Sequence, residues 1–140
     1  MSSRPQDAVT AFAHAYEHDE LDRLARLLAP ACEWTAGDVV IGARAIVERL
    51  RRDSERHRRW FDELRREVRV EPLGATRAAL FVTEYLMKVP GQWHRRQLRL
   101  DVELDATGAI AHVVERSAPE DAEAYARFLA ACGVAASEAD

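Results

Sequence analysis

Hydrophobic positions recur at helical spacing through the first half of the chain and at every second residue through most of the second, so the pattern predicts helices first and a sheet afterwards. From Pro5 to about His18, Val9, Phe12, Ala13 and Tyr16 share one helical face, and Pro5 suits a first turn. Asp19 is placed to cap a second helix, whose stripe of Leu21, Leu24, Leu27 and Leu28 must end before Pro30. Cys32 to Ala36 reads as a short strand and "AGDVVIG" as a connection. Ala43 to about Glu67 reads as a long helix with Ile46, Leu50, Ser54, His57, Phe61 and Leu64 on one side.

The period then changes. "REVRVEPL" and "RAALFVTEYLMKV" are predicted strands, and Pro90-Gly91 turns the chain into "WHRRQLRLDVELD". There Leu98, Leu100, Val102 and Leu104 alternate with Gln97, Arg99, Asp101 and Glu103. A turn at "DATG" leads to a last strand that is ambiguous. One face carries Ile110, His112, Val114 and Arg116 and the other Ala111, Val113, Glu115 and Ser117, so periodicity does not choose the buried side. "PEDAEAYARFLAACG" closes the chain as a helix stopped at Gly133, and "VAASEAD" is expected to fray. Three helices followed by an antiparallel meander make an α+β arrangement, with a curved sheet wrapped around the helices. We expect one domain over residues 1–140, with an ordered core over about 5–132.

Composition narrows the function. With 48% apolar residues the chain can bury a real core, and its net charge of −4 argues against a generally basic nucleic-acid binder. Charge is uneven: ten arginines and six acids lie between Arg44 and Arg69, a net of +4, which leaves −8 for the remainder. All the basic residues except Lys88 are arginine, and the mixed signs of "RLRRDSERHRRWFDELRRE" read as a solvated helix face. No apolar run reaches membrane-spanning length and "MSSRPQDAVT" lacks the apolar stretch of a secretory signal, so a cytoplasmic protein with no membrane partner is expected. Cys32 and Cys132 have no C-x-x-C spacing and read as idle thiols. His14 and His18 lie i, i+4 beside Glu17, but the order is not H-E-x-x-H and no third ligand is implied. Neither a metal nor a cofactor is expected, and no glycine-rich phosphate loop or Ser-His-Asp arrangement can be argued.

"DELDRLARLLAPACEW" running into "IGARAIVERL", together with "VELDATGAIAHVVERSAPEDAEAY", resembles the nuclear transport factor 2-like superfamily, and within it the SnoaL-like proteins, over residues 5 to 132. The resemblance implies a cone-shaped fold whose concave sheet face lines a pocket and whose convex face meets a second subunit, making a homodimer. It turns Ala111, Val113 and Glu115 toward the pocket. Leu98, Leu100 and Val102 would join them from the neighbouring strand, and Phe81, Thr83, Tyr85 and Met87 from the strand before it. Glu115 would then sit among Met87, Val113 and Leu100.

A carboxylate in apolar surroundings is costly to ionise unless a cation or several donors meet it, which is the setting of a general acid or base. Glu115 is the first catalytic candidate under this reading; at the pocket rim beside Arg96 it would merely solvate the edge. His57 shares the apolar helix face and is the second candidate, forming a proton-transfer pair with Glu115 unless it is a satisfied core histidine. Tyr16, Trp34, Trp60, Phe61 and Tyr85 could line the pocket, or could be plain core.

Three chemistries of the superfamily can be carried over by position. The ketosteroid-isomerase base falls on Ala36, with Asp38 two residues on; the helix-one tyrosine falls near Phe12 or Tyr16 and the oxyanion acid on Leu100, so that constellation is incomplete. The Arg-x-Asp pair of limonene-epoxide-hydrolase relatives falls on Tyr85 and Met87, leaving only the last-strand acid, Glu115. The SnoaL-like cyclases need one acid-base group in an aromatic pocket, which Glu115 and His57 can supply. The expected function is cofactor-free binding of an apolar or aromatic small molecule, with proton transfer in isomerisation, cyclisation, dehydration or hydration. The alternatives are a non-catalytic binding module and a dimerisation module.

Overall fold

The helical period breaks at Phe61, where the backbone turns extended (φ −120°, ψ 148°) while its N–H still bonds to the His57 carbonyl. The next residue, Asp62, already donates its N–H to Met87, so the chain passes from helix to sheet without a loop. In the computed structural model, which describes residues 5–88 and 90–134, the elements are α1 (Pro5–Glu17), α2 (Leu21–Leu27), β1 (Leu28–Ala36), β2 (Val39–Gly42) and α3 (Ala43–Trp60), followed by β3 (Glu63–Pro72), β4 (Arg77–Lys88), β5 (Gln92–Leu104), β6 (Ile110–Arg116) and α4 (Pro119–Ala131). Val89 and the tail from residue 135, expected to fray, lie outside the described residues.

The predicted helix to Glu67 is thus corrected to one that ends at Trp60. From Glu63 onward Leu64, Arg66, Val68 and Val70 turn inward while Glu63, Arg65, Glu67 and Arg69 turn out, and this period of two pairs with β4 along its whole length. Leu64 fits both periods, which is why the helical stripe seemed to continue through it.

The six strands form one sheet in the order β2-β1-β6-β5-β4-β3, antiparallel except for the β1–β6 pair. β1 starts earlier than predicted, at Leu28, and its register against β6 shifts between Leu28 and Glu33. That irregularity accommodates Pro30, which has no N–H to give a ladder. The "VVIG" connection is the edge strand β2, paired with β1. Asp19 does not cap α2: it adopts a left-handed conformation (φ 57°), Glu20 holds the cap position without a side-chain bond, and the Asp19 carboxylate is committed elsewhere.

One sheet face curls around α1 and α3. The main core on that face includes Val9, Phe12, Leu24, Trp34, Ile46, Leu80, Leu100, Val102, Ile110 and Val113. A second cluster, Trp60, Phe61, Leu86, Phe128 and Leu129, forms where α4 docks against the sheet. Gly133 (φ 83°) ends α4, with its N–H on Ala130 and the Val134 N–H on Leu129, a closure that needs the left-handed region. Among the described residues no helix is long and apolar enough to cross a membrane.

β4 shows the other correction. Leu80, Val82, Glu84 and Leu86 face the interior, whereas Phe81, Thr83, Tyr85 and Met87 lie on the outer face. β4 carries apolar residues on both sides, so its alternation is silent and its neighbours decide the register. Outward aromatics are covered by arginines: Arg65 lies 5.0 Å over Tyr85, and Arg69 lies 4.4 Å over Phe81.

Candidate functional site

Between the two apolar clusters the inner face of the sheet is charged. Glu84 from β4, only 2% exposed, lies between Arg66 of β3 and Arg96 of β5, its partners in the strand register. Arg66 donates to Glu84 Oε2 from Nε (2.9 Å) and Nη2 (2.8 Å), and Arg96 donates to Oε1 from Nη1 (3.2 Å). A third donor of Arg66, Nη1, reaches the Tyr16 carbonyl (2.8 Å) and Asp19 Oδ1 (3.3 Å), and Ser54 of α3 donates to the other Asp19 oxygen. The strained backbone at Asp19 is therefore held in place by a bridge between α1, α3 and β3. Burial works against ionising Glu84, but the two guanidinium groups outweigh it and hold the carboxyl below its usual range.

Glu115 is the second interior carboxylate. It points inward from β6, opposite Leu100 of β5 and beside Ala36 of β1, and its Oε1 accepts a 3.1 Å hydrogen bond from Trp34 Nε1. Trp34 is fully buried and stacks on Tyr16 (6.4 Å), so this donor is rigidly placed. Arg96 lies within electrostatic reach of Glu115. The surroundings thus differ from the apolar set expected: Val113 and Leu100 are there in the core, but Met87 is on the opposite face of the sheet, and an indole N–H and a guanidinium take its place.

His57 of α3 faces the same interior. Its Nε2 is 3.5 Å from the hydroxyl of Tyr125 on α4, and its Nδ1 is buried with no hydrogen-bond partner among the described residues. Burial lowers the His57 pKa below the ordinary value, so the ring is neutral at neutral pH. The same cause pushes the Tyr125 phenol up to about 12 and raises that of Tyr16. The Tyr125 ring also carries the Arg96 guanidinium 4.5 Å above it.

Tyr16, His57, Glu84, Arg96 and Glu115 converge on one inner cavity of about 60 Å³. Two larger cavities share His57 with it as a common wall residue. A mouth of about 490 Å³, walled by Arg49, Trp60, Arg96 and Tyr125, lies between α3 and α4, and an opening of about 360 Å³ lies between α1, α3 and β3 beside Phe61. Of the residues singled out in the sequence, Glu115, His57 and Tyr16 line the inner cavity, Trp34 buttresses it, and Trp60 and Phe61 stand at the two openings. Leu100 and Val113 are fully buried in the main core beneath it. Tyr85 and Met87 are withdrawn to the outer face by the β4 register.

Sequence reasoning missed Glu84, Arg66 and Tyr125, and it met Arg96, Asp19 and Ser54 only as a rim partner, a helix cap and a helix-face position. Glu84 left a signal: it is the single charge within the apolar run "AALFVTEYLM", and such a residue either faces out or is paired. His14 and His18 stay on the surface, bridged to Glu20 and Glu17. Among the described residues no group of three or more His, Cys, Asp or Glu could hold a metal.

This arrangement of helices and a curved sheet is shared with solved structures. An LEH-like epoxide hydrolase from Mycobacterium tuberculosis superposes with a TM-score of 0.64 at 20% identity over 94% of this chain and 96% of its own. An NTF2-like protein of unknown function from Burkholderia pseudomallei K96243 reaches 0.70 at 16% identity over 91% and 98%. This is the nuclear transport factor 2-like fold. A candidate SnoaL-like polyketide cyclase from Shewanella denitrificans OS-217 shares it as well, with a TM-score of 0.65 at 13% identity over 88% of this chain and 96% of its own. No family model and no curated protein matches the sequence. In this chain the inner cavity is lined by side chains from four strands, β3 to β6, and three helices, α1 to α3, among them acids, arginines, His57 and Tyr16.

Proposed function

We propose that the chain is a cofactor-free, SnoaL-like small-molecule enzyme in which Glu115 moves protons on an aromatic or otherwise unsaturated substrate held in the cone. The Trp34–Glu115 hydrogen bond carries the reading, because it fixes a carboxylate inside the cavity with a single donor. One donor orients the group and leaves it basic capacity, whereas the three arginine bonds on Glu84 leave that residue none to spare. Glu115 would take a proton from a carbon activated by a neighbouring carbonyl. Arg96, which lines the same cavity, would stabilise the resulting oxyanion, with the protonated Tyr125 phenol contributing from the mouth, and His57, neutral and linked to Tyr125, would relay a proton back. This sequence serves isomerisation or aldol-type cyclisation, and the shared fold with candidate polyketide cyclases supports it by analogy alone.

Epoxide opening in the manner of an acid–arginine–acid triad is the less favoured chemistry. Glu84, Arg96 and Glu115 do lie on three successive strands, but Glu84 is held as a carboxylate by two arginines and has no proton to give an epoxide oxygen.

The test is proton exchange. A panel of enolisable aromatic ketones and cyclic β-dicarbonyl compounds is incubated in deuterated water and followed by NMR. At least one member should exchange its α-proton faster with the wild-type protein than with Glu115→Gln, by roughly two orders of magnitude or more, the usual contribution of a general base. Compounds that bind but exchange equally with both proteins would reduce the chain to a binding module.

A further inference from the structure

The two openings of the cone carry opposite charge. On the mouth between α3 and α4, Arg49, Arg52, Arg56 and Arg96 face a single acid, Asp53. On the opening between α1 and β3, Glu17, Asp19, Asp62 and Glu63 outnumber Arg58 and Arg66. The arginines of the mouth are not equally engaged. Arg56 lies 3.9 Å from Asp53 and Arg96 is bound to Glu84, whereas among the described residues no carboxylate lies within ion-pair distance of Arg49 or Arg52.

Arg49 is the telling residue. It is half-buried and lines both the mouth and the inner cavity that Glu115 and His57 line, so one side chain is shared by the two. An arginine partly withdrawn from water with no anion beside it is a site lacking its partner, and its planar fork suits a carboxylate. Trp60 and Tyr125 wall the same mouth with flat apolar surface. Resting on the reading that the cone is a substrate site, we propose that the substrate is an aromatic carboxylate, whose anionic group is held by Arg49 and Arg52 at the mouth while its rings lie against Trp60 and Tyr125. The acidic opening repels such a molecule, so the field orients it and admits it from one side. Anchored at Arg49, the remainder of the molecule extends toward Glu115 and His57, which line the cavity that Arg49 also reaches.

The probe is 2-naphthoate, compared with its neutral methyl ester by calorimetric titration of the full chain at low salt. The wild-type protein should bind the acid roughly tenfold to hundredfold more tightly than the ester, the range of one or two charge-assisted hydrogen bonds, with the advantage shrinking as salt rises. Arg49→Gln should remove most of that preference, and Arg52→Gln part of it. Arg51→Gln makes the same change in net charge on another face of α3, where Arg51 meets Asp22 at 3.4 Å, and should leave the preference intact. Equal binding of acid and ester, no binding of either, or equal losses in Arg49→Gln and Arg51→Gln would each overturn the proposal. So would inorganic phosphate binding as tightly as naphthoate, since that marks a simple anion site. Glu115→Gln separates this result from the catalytic one: preference for the acid without any Glu115-dependent exchange would leave the arginine-lined, anion-binding mouth standing and remove the enzyme reading.

Discussion

Glu84 gives the sharpest test of how the interior is built. Glu84→Gln keeps the shape and removes the charge, leaving Arg66, whose side chain is 8% exposed, with at best a neutral amide oxygen in place of the carboxylate oxygen that accepts from its Nε and Nη2, and with Asp19 as its remaining carboxylate partner. Arg96 is better placed to cope, since its side chain is 31% exposed and can reach water. Breaking one side of a buried ion pair costs about 3–5 kcal/mol, because the stranded charge stays desolvated. For a domain of this size that corresponds to a fall in melting temperature of roughly 10–15 °C. The decisive comparison is the pair Glu84→Leu with Arg66→Met, which removes both charges and fills the space with apolar atoms. If desolvation dominates, the double variant should recover most of the loss, giving a coupling of about 2 kcal/mol or more between two residues that touch. Thermal melts by circular dichroism near neutral pH of wild type, Glu84→Gln, Glu84→Leu, Arg66→Met and the double variant supply both comparisons. A loss below about 1 kcal/mol for Glu84→Gln, or a double variant no better than the sum of its parts, would refute the claim that this ion pair is a buried structural anchor. The pH dependence has a fixed sign. Because the folded pKa of Glu84 is lowered, its contribution is present above the ordinary carboxylate range and disappears as pH falls through the folded value, so wild type and Glu84→Gln should converge in acid.

Three further outcomes are expected. Leu100 is fully buried and Asp101 on the outer face is bound by Arg99 and Arg116, so in thermal melts Leu100→Asp should cost several kcal/mol and Asp101→Leu about 1 kcal/mol; equal tolerance would mean that the faces of β5 are reversed. The folded pKa of His57 lies below the ordinary value of 6.5, so the unfolded chain takes up protons first and stability should decline as pH drops below about 6.5; His57→Gln should flatten that decline in melts between neutral and mildly acidic pH, leaving the contribution of His94, which has the same sign, and an unchanged slope would place His57 in water. Met87 and Trp93 are cross-strand partners on the outer face, 40% and 71% exposed, and an apolar pair of that kind suits a two-fold contact; sedimentation at micromolar concentration should give a dimer that Trp93→Ser weakens, and a wild-type monomer would refute it.

How much of this could be read from the sequence depends on which signals were single-valued. β5 was legible from Leu98 to Leu104, where its inward set is apolar and its outward set polar, though not at Arg96, which turns inward, and α4 was legible because Pro119 and Gly133 mark its ends. β4 was not: Phe81, Tyr85 and Met87 on one side and Leu80, Val82 and Leu86 on the other are equally apolar, and only pairing with β3 and β5 settles which is inside. The helix-to-strand switch at Phe61 was hidden because Leu64 satisfies both periods. The interior orientation of Glu115 came from the family resemblance rather than from its strand, whose two faces are of mixed character.

The error on β4 also changed the chemistry. With Tyr85 and Met87 turned inward, Glu115 would be an isolated carboxylate in an apolar pocket, and its reactivity would rest on desolvation alone. With Glu84 turned inward, two arginines enter the cone to neutralise it, and one of them, Arg96, also lies near Glu115 and over Tyr125. The interior then works by division of labour between its acids. Glu84, bonded by both arginines, is a fixed counter-charge that holds cations in place, whereas Glu115 has one donor among the described residues, Trp34, and under the proposed function is the acid that would exchange the proton. Arg96 is held on one side by Glu84 and remains partly open to the mouth, where a developing negative charge on a substrate would find it already oriented. A single step in strand register thus decides whether this cone is a greasy pocket with one strained acid or a polar site arranged around a preset positive charge.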